Sequence, residues 1–361
     1  MTDPRIAQYA TLLVDTCVGV QRGWQVFLIS TPVARPLVEE IARQVGQRGA
    51  YLYQRLDFTG AVGAGSAAWV ESVPMEVLEE LPSIERYAIE NVDAVIAVSA
   101  PENTREAAAI PLERMMAANK AYRPVMERIV KGNLSWVGCQ FPCSALAQDA
   151  GMSLSQFEDF LYGACLIDWD AERARMQRVK ERLDASNEVR IVADGTDLTL
   201  SLEGRQGKID AGGANIPGGE VFYSPVEDSA QGSVAFSEFP ALYEGRELRG
   251  IRLRFENGRV VDASAQSEEE FLRQTLDTDE GARRLGELGF GCNPGVTRYM
   301  RNVLFDEKMN GTVHLALGNG FEFLGGTNES TVHWDIVKDL RDGGRLYADG
   351  ELVQENGEWR L

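Results

Sequence analysis

Two apolar rhythms alternate through the first half of the chain. Pro4 to Arg22 carries Ile6, Tyr9, Leu12, Leu13 and Cys17 at helical spacing. Gly23 and Trp24 interrupt it, and Gln25–Ser30 is a short continuous apolar run of the kind a buried strand needs. Ala34–Gly49 returns to the helical spacing, and Tyr51–Leu56 to a strand. The same exchange repeats. Met75–Asn91 reads as helix, Asp93–Ser99 as strand, Asn103–Lys131 as a long helical segment and Leu134–Gly138 as a fourth strand. Strands separated by helices imply βαβ units and a mostly parallel sheet.

After a helical bridge over Ser153–Leu183, capped at Ser153 or Ser155, the pattern changes to short alternating strands joined by tight turns. Val189–Ala193 and Leu198–Leu202 flank Asp194-Gly195. Ile251–Phe255 and Arg259–Asp262 flank Asn257-Gly258. Arg345–Ala348 and Glu351–Val353 flank Asp349-Gly350. Asn-Gly and Asp-Gly are the strongest short hairpin signals. Helices are expected at Glu268–Leu276 and Asp279–Leu285. The chain is thus expected to hold an α/β N-terminal domain over residues 1–187, with a mostly parallel sheet and the bridging helix. A C-terminal α+β domain over residues 188–361, rich in antiparallel strands, follows it.

Within the second domain, Thr312–Val337 holds both histidines of the 361-residue chain. In a strand, residues i and i+2 share a face, so His333 and Asp335 project together, with Val332 and Trp334 opposite. His314 sits in Val313–Leu317, another strand-like run. Two imidazoles and a carboxylate on stiff strands suit a divalent metal. The competing reading is two core histidines hydrogen-bonded to protein. Two glutamates lie in settings that could complete a site. Glu220 follows Gly218-Gly219 and precedes an apolar run, and Glu287 is flanked by Gly286, Leu288 and Gly289. A carboxylate buried in such surroundings must be paired, protonated or metal-bound, whereas at an exposed turn it needs nothing. Asp228, Glu238, Glu322 and Glu329 are weaker candidates on loops.

Composition narrows the function classes. A formal net charge of -19 argues against a nucleic-acid or anionic-membrane surface, and it would favour a cationic substrate end such as a free amine. No apolar run approaches membrane-spanning length, and Met1–Ile6 does not begin a signal peptide. Five cysteines in mostly apolar surroundings fit reduced thiols in a cytoplasm. Cys139 and Cys143 are too isolated for a zinc half-site. Neither Gly60–Gly65 nor Gly289-Phe-Gly291 has the spacing of a dinucleotide loop.

Four blocks taken together resemble the thermophilic aminopeptidase family, which includes aminopeptidases T and S and PepS. They are Ala214–Phe222, Arg284–Glu287, His314–Gly318 and Val332–Asp335. Ala147–Met152 and Asp168–Asp170 also resemble that family's mid-chain helix, so the likeness spans nearly the whole chain. The resemblance implies a two-domain metallo-aminopeptidase, a peptide-bond hydrolase removing N-terminal residues from short peptides. Its metal ligands would be Glu220, Glu287, His314, His333 and Asp335, holding two divalent ions (Zn, Co or Mn). One glutamate would bridge the ions. The ions would polarise the scissile carbonyl, generate hydroxide from water and hold the substrate amine, while Glu220 or Glu287 carries the proton. A homodimer is implied as well. One position departs from the family: Phe321 stands where a tyrosine contacts metal or substrate, and Tyr299 is a candidate substitute. The superfamily also resembles dihydroxypyridine ring-cleaving dioxygenases. His314, His333 and Asp335 would then hold a single Fe(II), leaving Glu220 and Glu287 surplus. A catalytically silent relative is the third reading.

Overall fold

Four apolar runs of the first half become parallel strands: β1 (Gln25–Ser30), β2 (Tyr51–Leu56), β3 (Ala94–Ser99) and β4 (Ser135–Gln140). The computed structural model describes residues 3–58, 66–106, 110–122, 128 and 134–361. By contact density the chain forms two compact units, Met1–Ile167 with Gly212–Gly218, and Asp168–Ala211 with Gly219–Leu361.

The first unit is an α/β layer with strand order β2-β1-β3-β4, closed by the two-residue β8 (Asn215–Ile216). β1 and β3 are buried along almost their whole length, as strands covered on both faces must be. Phe27, Ile29 and Val95 meet Leu81, Ile89 and Val92 in its core. The helix expected over Met75–Asn91 is two pieces, Met75–Leu78 and Ser83–Asn91, because Pro82 cannot continue the first. The Gly60–Gly65 stretch lies outside the described residues. So does much of the Asn103–Lys131 segment, of which Leu112–Ala121 is helical.

The bridge is also two helices. Leu154–Cys165 starts at a Ser153 capping box, and Trp169–Asp184 starts where the Asp168 carboxylate accepts the Ala171 N–H. The boundary expected near residue 187 falls at the far end of the second helix. That helix groups with the second unit, where the Tyr223 hydroxyl donates to Asp184 Oδ1 at 2.9 Å.

The second unit is antiparallel. β5 (Glu188–Ala193), β6 (Thr196–Ser201), β10 (Gln231–Phe236), β13 (Ile251–Glu256), β14 (Arg259–Ser264), β18 (Arg345–Ala348), β19 (Glu351–Glu355) and β20 (Glu358–Trp359) form one sheet of eight strands. The three expected hairpins are all present in it. A second sheet of five strands runs β17-β16-β15-β9-β7, built from His333–Asp339, Thr312–Gly318, Leu285–Gly291, Glu220–Tyr223 and Lys208–Asp210 respectively. The helix expected over Asp279–Leu285 is only a 3-10 turn at Gly281–Arg283, and Leu285 opens β15. Gly281 disfavours a helix there, and Leu285 pairs with Leu317 of β16 instead.

β15 carries one extra residue relative to β16: Leu285 pairs with Leu317 but Glu287 pairs with Ala316. Gly286 is the bulged residue. This shift sets the side-chain parity that brings Glu287 to the face bearing His314. A Cβ on Gly286 would lie 2.1 Å from the Asn319 carbonyl oxygen. Gly286→Ala is therefore expected to cost about 1–3 kcal/mol. The check is a lowered midpoint for the second unit in thermal denaturation, with the first unit's transition unchanged.

Candidate metal centre

One face of the five-stranded sheet carries the chemistry. Asp335 pairs across Ala316 to Glu287, and His333 pairs with Gly318. His314 pairs with Gly289, which pairs with Phe222, and Glu220 pairs with Gly291. The neighbours of the charged residues are Gly289, Gly291, Ala316 and Gly318, and this floor of minimal side chains leaves room above the sheet. Gly289 shows the need most clearly, because a Cβ there would stand 2.0 Å from His314 Nε2. The opposite face holds Leu288, Phe290, Leu315, Leu317 and Trp334, all buried. Trp334 stacks on Tyr243 at 5.0 Å.

All five residues expected from the sequence come together. Glu220, Glu287 and His314 place ligand atoms within 4.8 Å of one another, and so do Glu287, His333 and Asp335. Glu287 belongs to both groups. Its Oε1 lies 3.4 Å from His314 Nε2 and its Oε2 lies 3.3 Å from His333 Nε2. Glu220 Oε2 is 3.4 Å from His314 Nε2, and Asp335 Oδ2 is 3.5 Å from His333 Nε2. Glu220, Glu287 and His314 are buried, while His333 and Asp335 are partly exposed.

Backbone carbonyls fix both rings. His314 Nδ1 lies 3.1 Å from the Glu307 carbonyl and His333 Nδ1 lies 3.0 Å from the Asn319 carbonyl. A carbonyl only accepts, so each Nδ1 donates and each Nε2 is turned toward the carboxylates. This is the orientation that second-shell bonds impose on metal-binding histidines.

Electrostatics point the same way. Burial opposes charge on His314, but the hydrogen bond to Glu287 and the charges of Glu220, Glu287 and Asp335 outweigh it and raise its pKa to about 9. Burial likewise opposes charge on His333, and Asp335 and Glu287 raise it to about 10. Burial pushes the Glu220 and Asp335 carboxyls up, against Lys308 and His333 respectively. For Glu287 the two histidine hydrogen bonds overcome burial and hold the carboxyl below its usual range. The cluster thus calls for positive charge between its nitrogens and oxygens. Glu220 Oε2 and Asp335 Oδ1 are buried without a hydrogen-bond donor among the described residues. Buried carboxylate oxygens without donors are costly unless a cation meets them. The nitrogen and oxygen donor set suits Zn, Co or Mn, so these residues fit a divalent metal.

Sequence reasoning missed Lys308 and Glu307. Lys308 is fully buried, and its Nζ donates to Glu220 Oε1 at 3.0 Å and also to Glu307. Asp306-Glu-Lys308 reads as a solvated charge run, and nothing local signals its burial. Asp228, Glu322 and Glu329 are exposed away from the cluster, and Glu238 is taken by Lys338 at 2.6 Å. Phe321 lies beside His333, with ring centroids 5.3 Å apart. Tyr299 does not take its place, because its hydroxyl donates to the Pro240 carbonyl at 2.5 Å and its ring stacks on Phe239.

Residues 2–359 match the thermophilic metalloprotease family, M29. The chain belongs to that family. It is therefore a metal-dependent peptide-bond hydrolase. Aminopeptidase AmpS of Bacillus subtilis (strain 168) is 28% identical, over 98% of this chain and 98% of the relative. The solved structure of wild-type AmpT from Thermus thermophilus superposes with a TM-score of 0.84 at 24% identity, covering 99% of each chain. The fold, parallel sheet first and antiparallel sheets after, is the same. The 2,5-dihydroxypyridine dioxygenase of Pseudomonas putida KT2440 shares the fold more distantly, with a TM-score of 0.66 at 14% identity over 99% of this chain and 98% of that one. No helix among the described residues is long and apolar enough to cross a membrane.

Gly289→Ala places a methyl group inside the His314 ring position. The metal content of the purified M29 protein is expected to fall by more than half in this variant, as read by inductively coupled plasma mass spectrometry. Unchanged content would mean that the His314 ring is not where metal binding needs it.

Proposed function

We propose that this M29 protein is an aminopeptidase that removes the N-terminal residue from short peptides, with Glu220, Glu287, His314, His333 and Asp335 holding two divalent ions. The observation that carries the proposal is the pair of three-residue ligand groups joined through Glu287, each with one histidine held by a backbone carbonyl. Zn, Co or Mn bound there would supply Lewis acidity toward the scissile carbonyl and make water nucleophilic at neutral pH.

The protein's own groups divide the remaining work. Glu287 presents one oxygen toward each histidine and would be shared by both ligand groups. Lys308 holds Oε1 of Glu220, so that Glu220 offers the cluster Oε2 alone. Glu220 or Glu287 would carry the proton between water and the leaving amine. The acid-rich surroundings favour a substrate's free ammonium end over an internal peptide segment. The family resemblance extends this reading to a homodimer in the cytoplasm.

The second reading is a mononuclear iron dioxygenase. It needs His314, His333 and Asp335 around one ion. Against it, those residues fall into separate groups on either side of Glu287, and both glutamates lie among the ligands.

Metal quantification decides among these readings. Two Zn, Co or Mn per chain, with chelator-sensitive release of amino acids from short peptides, is the expected result. One Fe with ring-cleaving activity would establish the dioxygenase instead, and no metal would sink both. His333→Ala and Asp335→Ala should each abolish metal binding while the first unit stays folded by circular dichroism. Full metal content in both variants would refute the ligand assignment.

Phe321→Tyr adds a hydroxyl beside His333 without removing the ring. The kcat on a dipeptide is expected to rise about tenfold, below the full worth of one transition-state donor. An unchanged or lower rate would give that position another role.

A further inference from the structure

Phe321 is one of three phenylalanines that line up from the candidate metal centre outward. Phe222 lies on β9 two residues beyond Glu220 and therefore on the same face of the strand. Its ring meets Phe321 edge-on at 5.7 Å, and Phe321 meets Phe323 at 5.3 Å. Phe321 also touches the His333 ring at 5.3 Å, so the aromatic run begins at a candidate ligand. Exposure rises along it, from 8% at Phe222 to 41% at Phe323. Lys208, paired with Phe222 across β7 and β9, sets its Nζ 4.7 Å from the Phe323 ring centroid. The outer end of the run therefore carries an exposed cation in a protein whose net charge is -19.

This wall is held in place. The Phe321 N–H donates to Ser224 Oγ at 2.8 Å, and Ser224 Oγ donates to the Gly286 carbonyl at 2.8 Å. The Leu324 and Gly326 N–H groups both donate to the Phe321 carbonyl at 2.9 Å. The loop bearing Phe321 and Phe323 is thus tied to the bulge that orients Glu287. A rigid aromatic surface fixed beside the ligands can take up apolar area without first having to be ordered.

We propose that Phe222, Phe321 and Phe323, with Lys208 at the rim, form the subsite for the side chain of the substrate's N-terminal residue, selecting large apolar and aromatic side chains and rejecting cationic ones. The proposal rests on the aminopeptidase reading. Each methylene laid against such a wall is worth roughly 10–200-fold in discrimination. The Lys208 ammonium repels a lysine or arginine side chain at the same place, even though the rest of the protein attracts cations.

The experiment uses the full-length, metal-loaded protein and L-aminoacyl-para-nitroanilides of Phe, Leu, Ala and Lys. Wild-type kcat/KM is expected to be highest for Phe and Leu. Phe323→Ala should lower the Phe-to-Ala ratio about tenfold, mainly through KM. Lys208→Glu should raise the Lys-to-Phe ratio by a similar factor. Metal content should equal wild type in both variants, which separates loss of the subsite from loss of the centre. Calorimetric binding of the product amino acids gives a readout free of turnover: L-phenylalanine should bind more tightly than L-lysine, Phe323→Ala should weaken L-phenylalanine binding, and Lys208→Glu should strengthen L-lysine binding. Hydrolysis with unaltered ratios in both variants would overturn the subsite and leave the aminopeptidase reading standing. No hydrolysis of any substrate by fully metal-loaded protein would overturn both.

Discussion

The second unit's site depends on one carboxylate set between two imidazoles. Glu287 reaches His314 with one oxygen and His333 with the other, and those rings sit on the paired strands β16 and β17. Remove Glu287 and the two ligand groups share nothing. Its burial is unfavourable in itself, yet the two histidine hydrogen bonds reverse that and hold it ionised. The same histidines are held by the Glu307 and Asn319 carbonyls, so the charge on Glu287 is aligned from behind by uncharged, rigid groups. This division, backbone for orientation and side chains for charge, is what lets the five candidate ligand side chains converge.

Much of this was legible in the sequence because it obeys short-range rules. His333 and Asp335 share a face through the period of a strand, and the hairpins at Asn257-Gly258 and Asp349-Gly350 follow from turn chemistry. Strands β1 and β3 of the first unit show as apolar runs because both their faces are covered. The expected helix over Asp279–Leu285 failed because two apolar residues at helical spacing cannot outweigh the glycines around them, and the strand they flank wins through sheet pairing. Glu220 and Glu287 were found only as carboxylates in apolar and glycine-rich settings, and their convergence needed the resemblance to a family. Lys308 was invisible for the opposite reason. It stands in a charged run, and what buries it is the fold bringing Glu220 from 88 positions away.

Register explains why the site and the core can be built from the same strands. On β15 and β16 every residue is buried, so burial alone does not distinguish the two faces. Side-chain size does. Gly289, Gly291, Ala316 and Gly318 alternate with Leu288, Phe290, Leu315 and Leu317, and the charged candidate ligands occupy the small-residue face. A slip of one residue in either strand would drive leucines into the site and carboxylates into the core, at several kcal/mol for each unpaired charge. The sheet has one irregularity in this stretch, the bulge at Gly286, and it falls immediately before Glu287. Glu287 therefore reaches the ligand face through a deliberate break in the alternation that guards the rest of the sheet. The carbonyl of that same glycine receives the Ser224 hydroxyl, whose oxygen in turn accepts the Phe321 N–H. The residue that places the central carboxylate is thereby coupled through a single hydroxyl to the aromatic loop, so the candidate metal-binding face and the surface beside it meet at one local feature of β15.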